Sequence, residues 1–301
     1  MRKLAKIILF LSLFTLIACS ESKESEYAPQ YSTESYLENK KEFIFGIHPL
    51  HNPKRLHEVF GPIVNYLSNN IMKVKFKLEA SRNYAAFDEK LYTRKFHFAL
   101  PNPYQTINAF KHDYTVFGKM SDDKNFRGIF LVRKDSGITD VTDLKGRAVS
   151  FPAPTALAAT MMPQYYLQSH GLNVMKDIDI RYVGSQESSI MHVMLGNTVA
   201  GATWPPPWRA LSKERPKLAK ELKVIWQTEP LPNNSLIVRN DVDKETLRQV
   251  KKLLLNLHNV KEGKEWLKKM ELSRFEDATN QTYQPVLEFL TRFRNTVRDT
   301  L

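Results

Sequence analysis

The chain of 301 residues contains a single cysteine, Cys19, which excludes an internal disulfide framework. It has no GxSxG, no HExxH, no Walker loop and no paired cysteines. Nucleophilic or metal-assisted catalysis therefore has no motif to stand on, and no enzyme activity or cofactor is expected. His48, His51 and His57 suffice by count for a metal. His51 and His57 lie six apart across a helix start, which is not a ligand spacing, so all three read as loop or surface histidines. No internal sequence repeat is present. Hydrophobic residues make up 42% of the chain, enough to build two ordinary cores and to exclude a disordered protein.

The first nineteen residues, MRKLAKIILFLSLFTLIAC, place three basic residues ahead of an apolar run from Ile7 to Ile17. This pattern predicts a secretory signal peptide, too short and wrongly flanked for a spanning helix. Leu16-Ile17-Ala18-Cys19 resembles the bacterial lipobox, so Cys19 is expected to be lipidated and to become the first residue of the mature chain. Ser20 to Glu42 is rich in Ser, Glu, Lys and Tyr without periodicity. It reads as a flexible tether holding the body on the order of 25 Å from the lipid. Loss of Arg2, Lys3 and Lys6 with the leader lowers the formal charge from +12 to +9. A positive surplus suits anionic ligands or an anionic surface, and export argues against nucleic acid.

From Phe43 the sequence alternates short apolar runs with amphipathic ones. Strands are predicted at Phe43–Ile47, Val74–Glu79 and Phe96–Leu100. Helices are predicted from Arg55 to Asn69, from Asn83 to Thr93 and from Pro103 to Ala109, which makes an α/β unit with a mainly parallel sheet. A second series follows: strands at Gly128–Arg133, Ala148–Phe151, Ile178–Val183, Val199–Thr203 and Lys223–Trp226. Asn234–Arg239 resembles Ile129–Arg133 in its apolar run ending at arginine, and the pair is read as two crossings between lobes. The tail from Asp243 is helical.

Ala148–Phe151 is stopped by Pro152 and Pro154, and Thr155 is expected to cap a helix running to about His170. A strand turning tightly into a helix aims free N–H groups, backed by the helix dipole, at a point that suits an anion. Other strand ends carry His48 and Asn52, Tyr84, Asn102 and Tyr104, then Gln186, Glu187 and Ser188 in a loop before a helix from Ser189. If the two halves face each other, these groups converge on one cleft. Trp204-Pro205-Pro206-Pro207-Trp208 reads as a rigid turn offering an aromatic wall to a ligand with an apolar or cationic part.

In order and spacing, several residues resemble the periplasmic binding proteins of phosphate, phosphite and phosphonate ABC transporters, from about Phe43 to Leu290. The markers are Phe45-Gly46-Ile47 before a proline loop, Tyr84 opening a helix, and Pro103-Tyr104 after the third strand. Further on come Pro163 with Tyr165-Tyr166, Gln186-Glu187-Ser188, and Leu222 to Trp226 before Pro232. The resemblance implies a type II two-lobed fold, each lobe a mainly parallel sheet flanked by helices, joined by two crossover strands. Lobe one would comprise 43–131 and 236–301, and lobe two 132–235.

The resemblance also implies that Tyr84 and hydroxyls after Pro154 hold the ligand's oxyanion, and that Glu187 meets an amino group where a ligand has one. Here the family's Ser-Thr-Ser falls on Ala156-Leu157-Ala158, with Thr155 nearby. Losing two hydrogen bonds to a charged group weakens phosphonate binding by roughly hundred-fold to ten-thousand-fold. The expected site is Tyr84, Asn102 and Tyr104 from lobe one with Thr155, Ala156, Leu157, Gln186, Glu187, Ser188 and Trp204 from lobe two. The expected role is a monomeric, membrane-anchored lipoprotein of the periplasm that traps a small anion and delivers it to an ABC permease and its ATPase. Two other roles compatible with the same fold are a sensory subunit serving a membrane receptor and a receptor for a larger, less charged ligand.

Overall fold

The computed structural model describes residues 40 to 300, and the expected leader, Cys19 and most of the tether lie outside them. The first strand begins at Lys41, so the last two residues assigned to the tether belong to the body.

Lobe one is built on a six-stranded sheet in the order β11-β4-β10-β3-β1-β2. Its first half alternates β1 (Lys41–Ile47), α1 (Pro53–Asn70), β2 (Val74–Ala80), α2 (Tyr84–Tyr92), β3 (Phe98–Leu100), α3 (Pro103–Ala109) and β4 (Tyr114–Met120). The apolar stripe of α1, Leu56, Val59, Phe60, Ile63, Val64 and Leu67, is buried as its spacing requires. Asn52, Asn83 and Asn102 cap the three helices, each accepting a main-chain N–H through its side chain. Strand β4 was not anticipated from the sequence: Gly118 and Lys119 interrupt its apolar pattern, and Lys119 is buried only because Asp123 and Glu276 pair with it at 2.7 and 2.6 Å.

Lobe two holds a five-stranded sheet in the order β7-β6-β8-β5-β9. It runs through β5 (Ile129–Arg133), β6 (Ala148–Phe151), α4 (Met162–Ser169), α5 (Val174–Asp177), β7 (Asp179–Tyr182), α6 (Gln186–Met194), β8 (Ala200–Thr203), α7 (Pro205–Glu214), α8 (Pro216–Glu221) and β9 (Leu222–Gln227). The chain then returns to lobe one as β10 (Ser235–Arg239), α9 (Lys244–Leu255), α10 (Lys261–Lys269), β11 (Phe275–Glu276) and α11 (Gln284–Thr296).

The expected α/β two-lobed architecture is present, with three corrections. Both sheets are mixed rather than mainly parallel: β1, β2 and β3 run together, as do β6, β7 and β8, while β10 and β5 pair antiparallel with their neighbours. The crossings are irregular segments at 121–128 and 228–234 rather than strands, so Ile129 to Leu131 belong to lobe two. Finally, helix starts were misplaced: α6 begins at Gln186, and Trp204-Pro205-Pro206-Pro207-Trp208 is the cap and first turn of α7, where proline's missing N–H costs nothing.

One glycine sets how closely α6 approaches its sheet. A Cβ on Gly201 in β8 would lie 2.6 Å from Val193 Cγ2, 2.7 Å from Ser150 Oγ and 2.8 Å from the Ser189 carbonyl oxygen. The last contact is backbone and cannot rotate away. Gly201→Ala is expected to destabilise the protein by about 1–3 kcal/mol in denaturant unfolding, because overpacking displaces α6; an unchanged midpoint would show that the helix has room to retreat.

Candidate functional site

A small cavity of about 10 Å³ lies where the two lobes meet, and each residue lining it sits at the carboxyl end of a parallel strand or in a crossing. Lobe one contributes His48 after β1, Tyr84 after β2 and Asn102 after β3. Lobe two contributes Ala156 to Ala159 after β6, Gln186 after β7 and Trp204 after β8. Phe126 enters from the first crossing and Asn234 from the second.

The segment after β6 differs from the expected capped helix. Thr155 is not its N-cap: Leu157–Met161 forms a π-helical turn capped by Ala156 without a side-chain bond, and it continues into α4. Its first main-chain N–H groups have no intrahelical acceptor and carry the positive end of the dipole. Asn102 ties this turn to lobe one by donating from Nδ2 to the Thr155 carbonyl at 3.0 Å.

The polar side chains are oriented by one another. Gln186 accepts from the Thr203 hydroxyl at 2.9 Å, and its Nε2 donates to Tyr84 Oη at 3.5 Å. A phenol that accepts keeps its own hydrogen for another partner, and burial pushes the Tyr84 pKa well up, so Tyr84 remains an O–H donor. His48 Nδ1 lies 2.8 Å from the Leu100 carbonyl, which can only accept, so the proton sits on Nδ1. Trp204 meets Phe126 edge to face with ring centroids 5.6 Å apart. Among the described residues, no Lys, Arg, Asp or Glu lines the cavity. An anion held here would be held by dipoles rather than by a counter-charge.

Other contacts join the lobes around the cavity. Arg55 of α1 pairs with Glu214 of α7, and Glu271 receives Arg209 at 3.1 Å and Lys213 at 2.6 Å. Burial acts to raise the Glu271 pKa, but these two cations outweigh it and hold the carboxyl below its usual range. Arg298, beyond α11, reaches Gln164 at 3.0 Å and the Pro154 carbonyl at 2.6 Å.

The sequence profile of the phosphonate ABC transporter periplasmic substrate-binding proteins matches residues 45–283. The chain belongs to this family. Its members are the substrate-binding components of transporters rather than enzymes. A probable phosphite-binding protein of an ABC transporter from Prochlorococcus marinus is 24% identical over 186 residues, covering 58% of this chain and 63% of that protein's length. The solved structure of a Prochlorococcus marinus relative in complex with methylphosphonate has a TM-score of 0.77 at 22% identity, covering 86% of this chain and all of the other. A binding-protein component of a phosphonate transporter from Pseudomonas aeruginosa gives 0.79 at 18% identity, covering 85% and 88%. At these identities the structural likeness is one of fold.

Of the residues singled out in the sequence of this binding protein, Tyr84, Asn102, Ala156, Leu157, Gln186 and Trp204 line the cavity, and four do not. Glu187 lines a separate groove between α1 and α7, where it pairs with Arg215 at 3.1 Å and accepts from Asn52 at 3.4 Å. Ser188 is spent on the helix cap with Ser185. Tyr104 is buried in the lobe-one core. The Thr155 hydroxyl bonds Asp88, whose pKa burial pushes up to about 6 against hydrogen bonds from Gln105 and Thr155.

Five lining residues lie outside the expected site: His48, Phe126, Ala158, Ala159 and Asn234. His48 lies in the loop after β1, one of the two alternatives expected of it, but is buried, 3% exposed, rather than on the surface. Its position directly after an apolar strand is the signal that already puts it among the strand-end groups facing the cleft; nothing local marks Phe126 or Asn234.

Burial lowers the His48 pKa to about 4, and the bond to Leu100 only partly offsets this. The unfolded ring titrates near 6.5. The neutral ring therefore contributes stability that is present above that pH and is lost as the pH falls toward 4. His48→Asn is expected to flatten the fall in unfolding midpoint between pH 6.5 and 4; an unaltered slope would place the acid sensitivity elsewhere.

Proposed function

We propose that the chain is the solute receptor of an ABC importer, a lipoprotein held at the membrane through Cys19, which traps a small phosphonate-like or phosphate-like oxyanion and hands it to the permease and its ATPase. The observation that carries this reading is that both lobes and both crossings line a single cavity. Contacts from both sides exist only when the lobes are together, so binding shifts an open and closed equilibrium toward closure. The free N–H groups after Ala156 and the Tyr84 hydroxyl supply donors for the oxyanion. The family's periplasmic placement supports export.

The run Ala156-Leu157-Ala158-Ala159 favours a second reading, in which the ligand is larger or less charged and rests on Trp204 and Phe126. Calorimetric titration of the mature chain with methylphosphonate, phosphite and phosphate separates the two. On the first reading at least one of them binds, and Tyr84→Phe weakens it about 10- to 100-fold through loss of a charge-assisted hydrogen bond. Silence from all three supports the second reading, and equal affinity in the variant removes Tyr84 from the site.

The anchor is tested separately. After expression and export, Cys19→Ala is expected to move the protein from the membrane pellet to the soluble fraction. Retention of the variant in the pellet would mean that another feature holds it there.

A further inference from the structure

Asn234 is 1% exposed and stands in the second crossing, one residue before β10. Its backbone is fixed: the carbonyl accepts from Met120 N at 2.9 Å, and the N–H donates to Asn233 Oδ1 at 2.8 Å. The side-chain Nδ2 lies 3.4 Å from Met120 Sδ. A thioether has lone pairs and no hydrogen, so the amide presents its nitrogen to the sulfur and its oxygen to the other side. That oxygen, Oδ1, is buried without a hydrogen-bond partner, and the residue lines the cavity.

An unmet buried acceptor is costly and is normally satisfied by a ligand or a water. The other groups around the cavity offer the opposite polarity, namely the Tyr84 hydroxyl and the N–H groups at the π-helical turn. A fully ionised oxyanion brings only acceptors, and it would set one of its oxygens against Asn234 Oδ1. A singly protonated one brings both kinds of group. It also carries a smaller charge into a cavity that, among the described residues, is lined by no Lys or Arg, where each unit of uncompensated charge is expensive to desolvate.

On the reading that this cavity takes a phosphorus oxyanion, we propose that Asn234 Oδ1 accepts the acidic P–O–H hydrogen, so that the bound species is the monoanion. Sulfonates, which carry no such hydrogen near neutral pH, are rejected at the same position. The alkanesulfonate-binding protein from Xanthomonas axonopodis shares the fold at a TM-score of 0.61 and 15% identity, so exclusion of sulfonates is a property of the lining rather than of the architecture.

The test is a calorimetric comparison of methylphosphonate, phosphite and methanesulfonate with the mature chain from pH 5.5 to 9. Phosphorus monoanions should bind at least about 10-fold more tightly than methanesulfonate, as expected for a lost hydrogen bond to a buried polar group. Above the second ionisation of the phosphorus ligand, its Kd should rise by about tenfold per pH unit. Asn234→Leu should bring the phosphonate and sulfonate affinities together and flatten the pH profile. The wild-type profile carries the test even where the variant fails to fold. Equal binding of methanesulfonate and methylphosphonate, or a pH-independent Kd, overturns the Asn234 assignment and leaves the oxyanion reading standing. No binding by any of the three anions overturns both.

Discussion

Two crossings of the chain between the lobes constrain everything else. After the first crossing the chain must run away from the junction to form β5, and after the second it must do the same to form β10. Each of these strands therefore inserts antiparallel among strands that point the other way. The consequence is that β1, β2 and β3 in one lobe, and β6, β7 and β8 in the other, all direct their carboxyl ends at the junction. Those ends are followed by helix starts, where free N–H groups and capping side chains collect. A cavity lined by helix caps and by the crossings themselves follows from that arrangement.

The cavity is polar without being charged, and its surroundings are charged without touching it. Tyr84, Gln186, Asn102 and His48 are held by bonds to one another or to the main chain, so their orientation does not depend on a ligand. The ion pairs lie outside, on α1, α7 and the segment after α10. Helix α7 links the two regions. Its cap, Trp204, lines the cavity, while Arg209, Lys213 and Glu214 along its length reach lobe one. A ligand that seats Trp204 thereby bears on contacts about ten residues, or roughly 15 Å of helix, away.

Most elements were legible in the sequence because their signals are local. The stripe on α1, the proline stops after β6 and the asparagine caps depend on residues within a few positions of each other. Strand β4 was not legible, since Lys119 is tolerable inside it only through Glu276, far along the chain. The direction of β5 and β10 was also hidden, because period-two patterning is the same for parallel and antiparallel strands. For the site, position after a strand picks out Tyr84, Asn102, Gln186 and Trp204, which line the cavity. Glu187 and Ser188 do not line it, because the start of α6 at Gln186 turns those two side chains toward Arg215 and Ser185.

By itself the sequence determined the family, the alternation of strands and helices, and the strand ends at which polar groups gather, since these rest on periodicity, capping and short-range order. Tertiary structure alone decided which of those groups share one cavity. Phe126 and Asn234 reach it only because both crossings pass the same junction, and Glu187, one residue after Gln186 on α6, projects about 100° around the helix from it, toward Asn52 and Arg215.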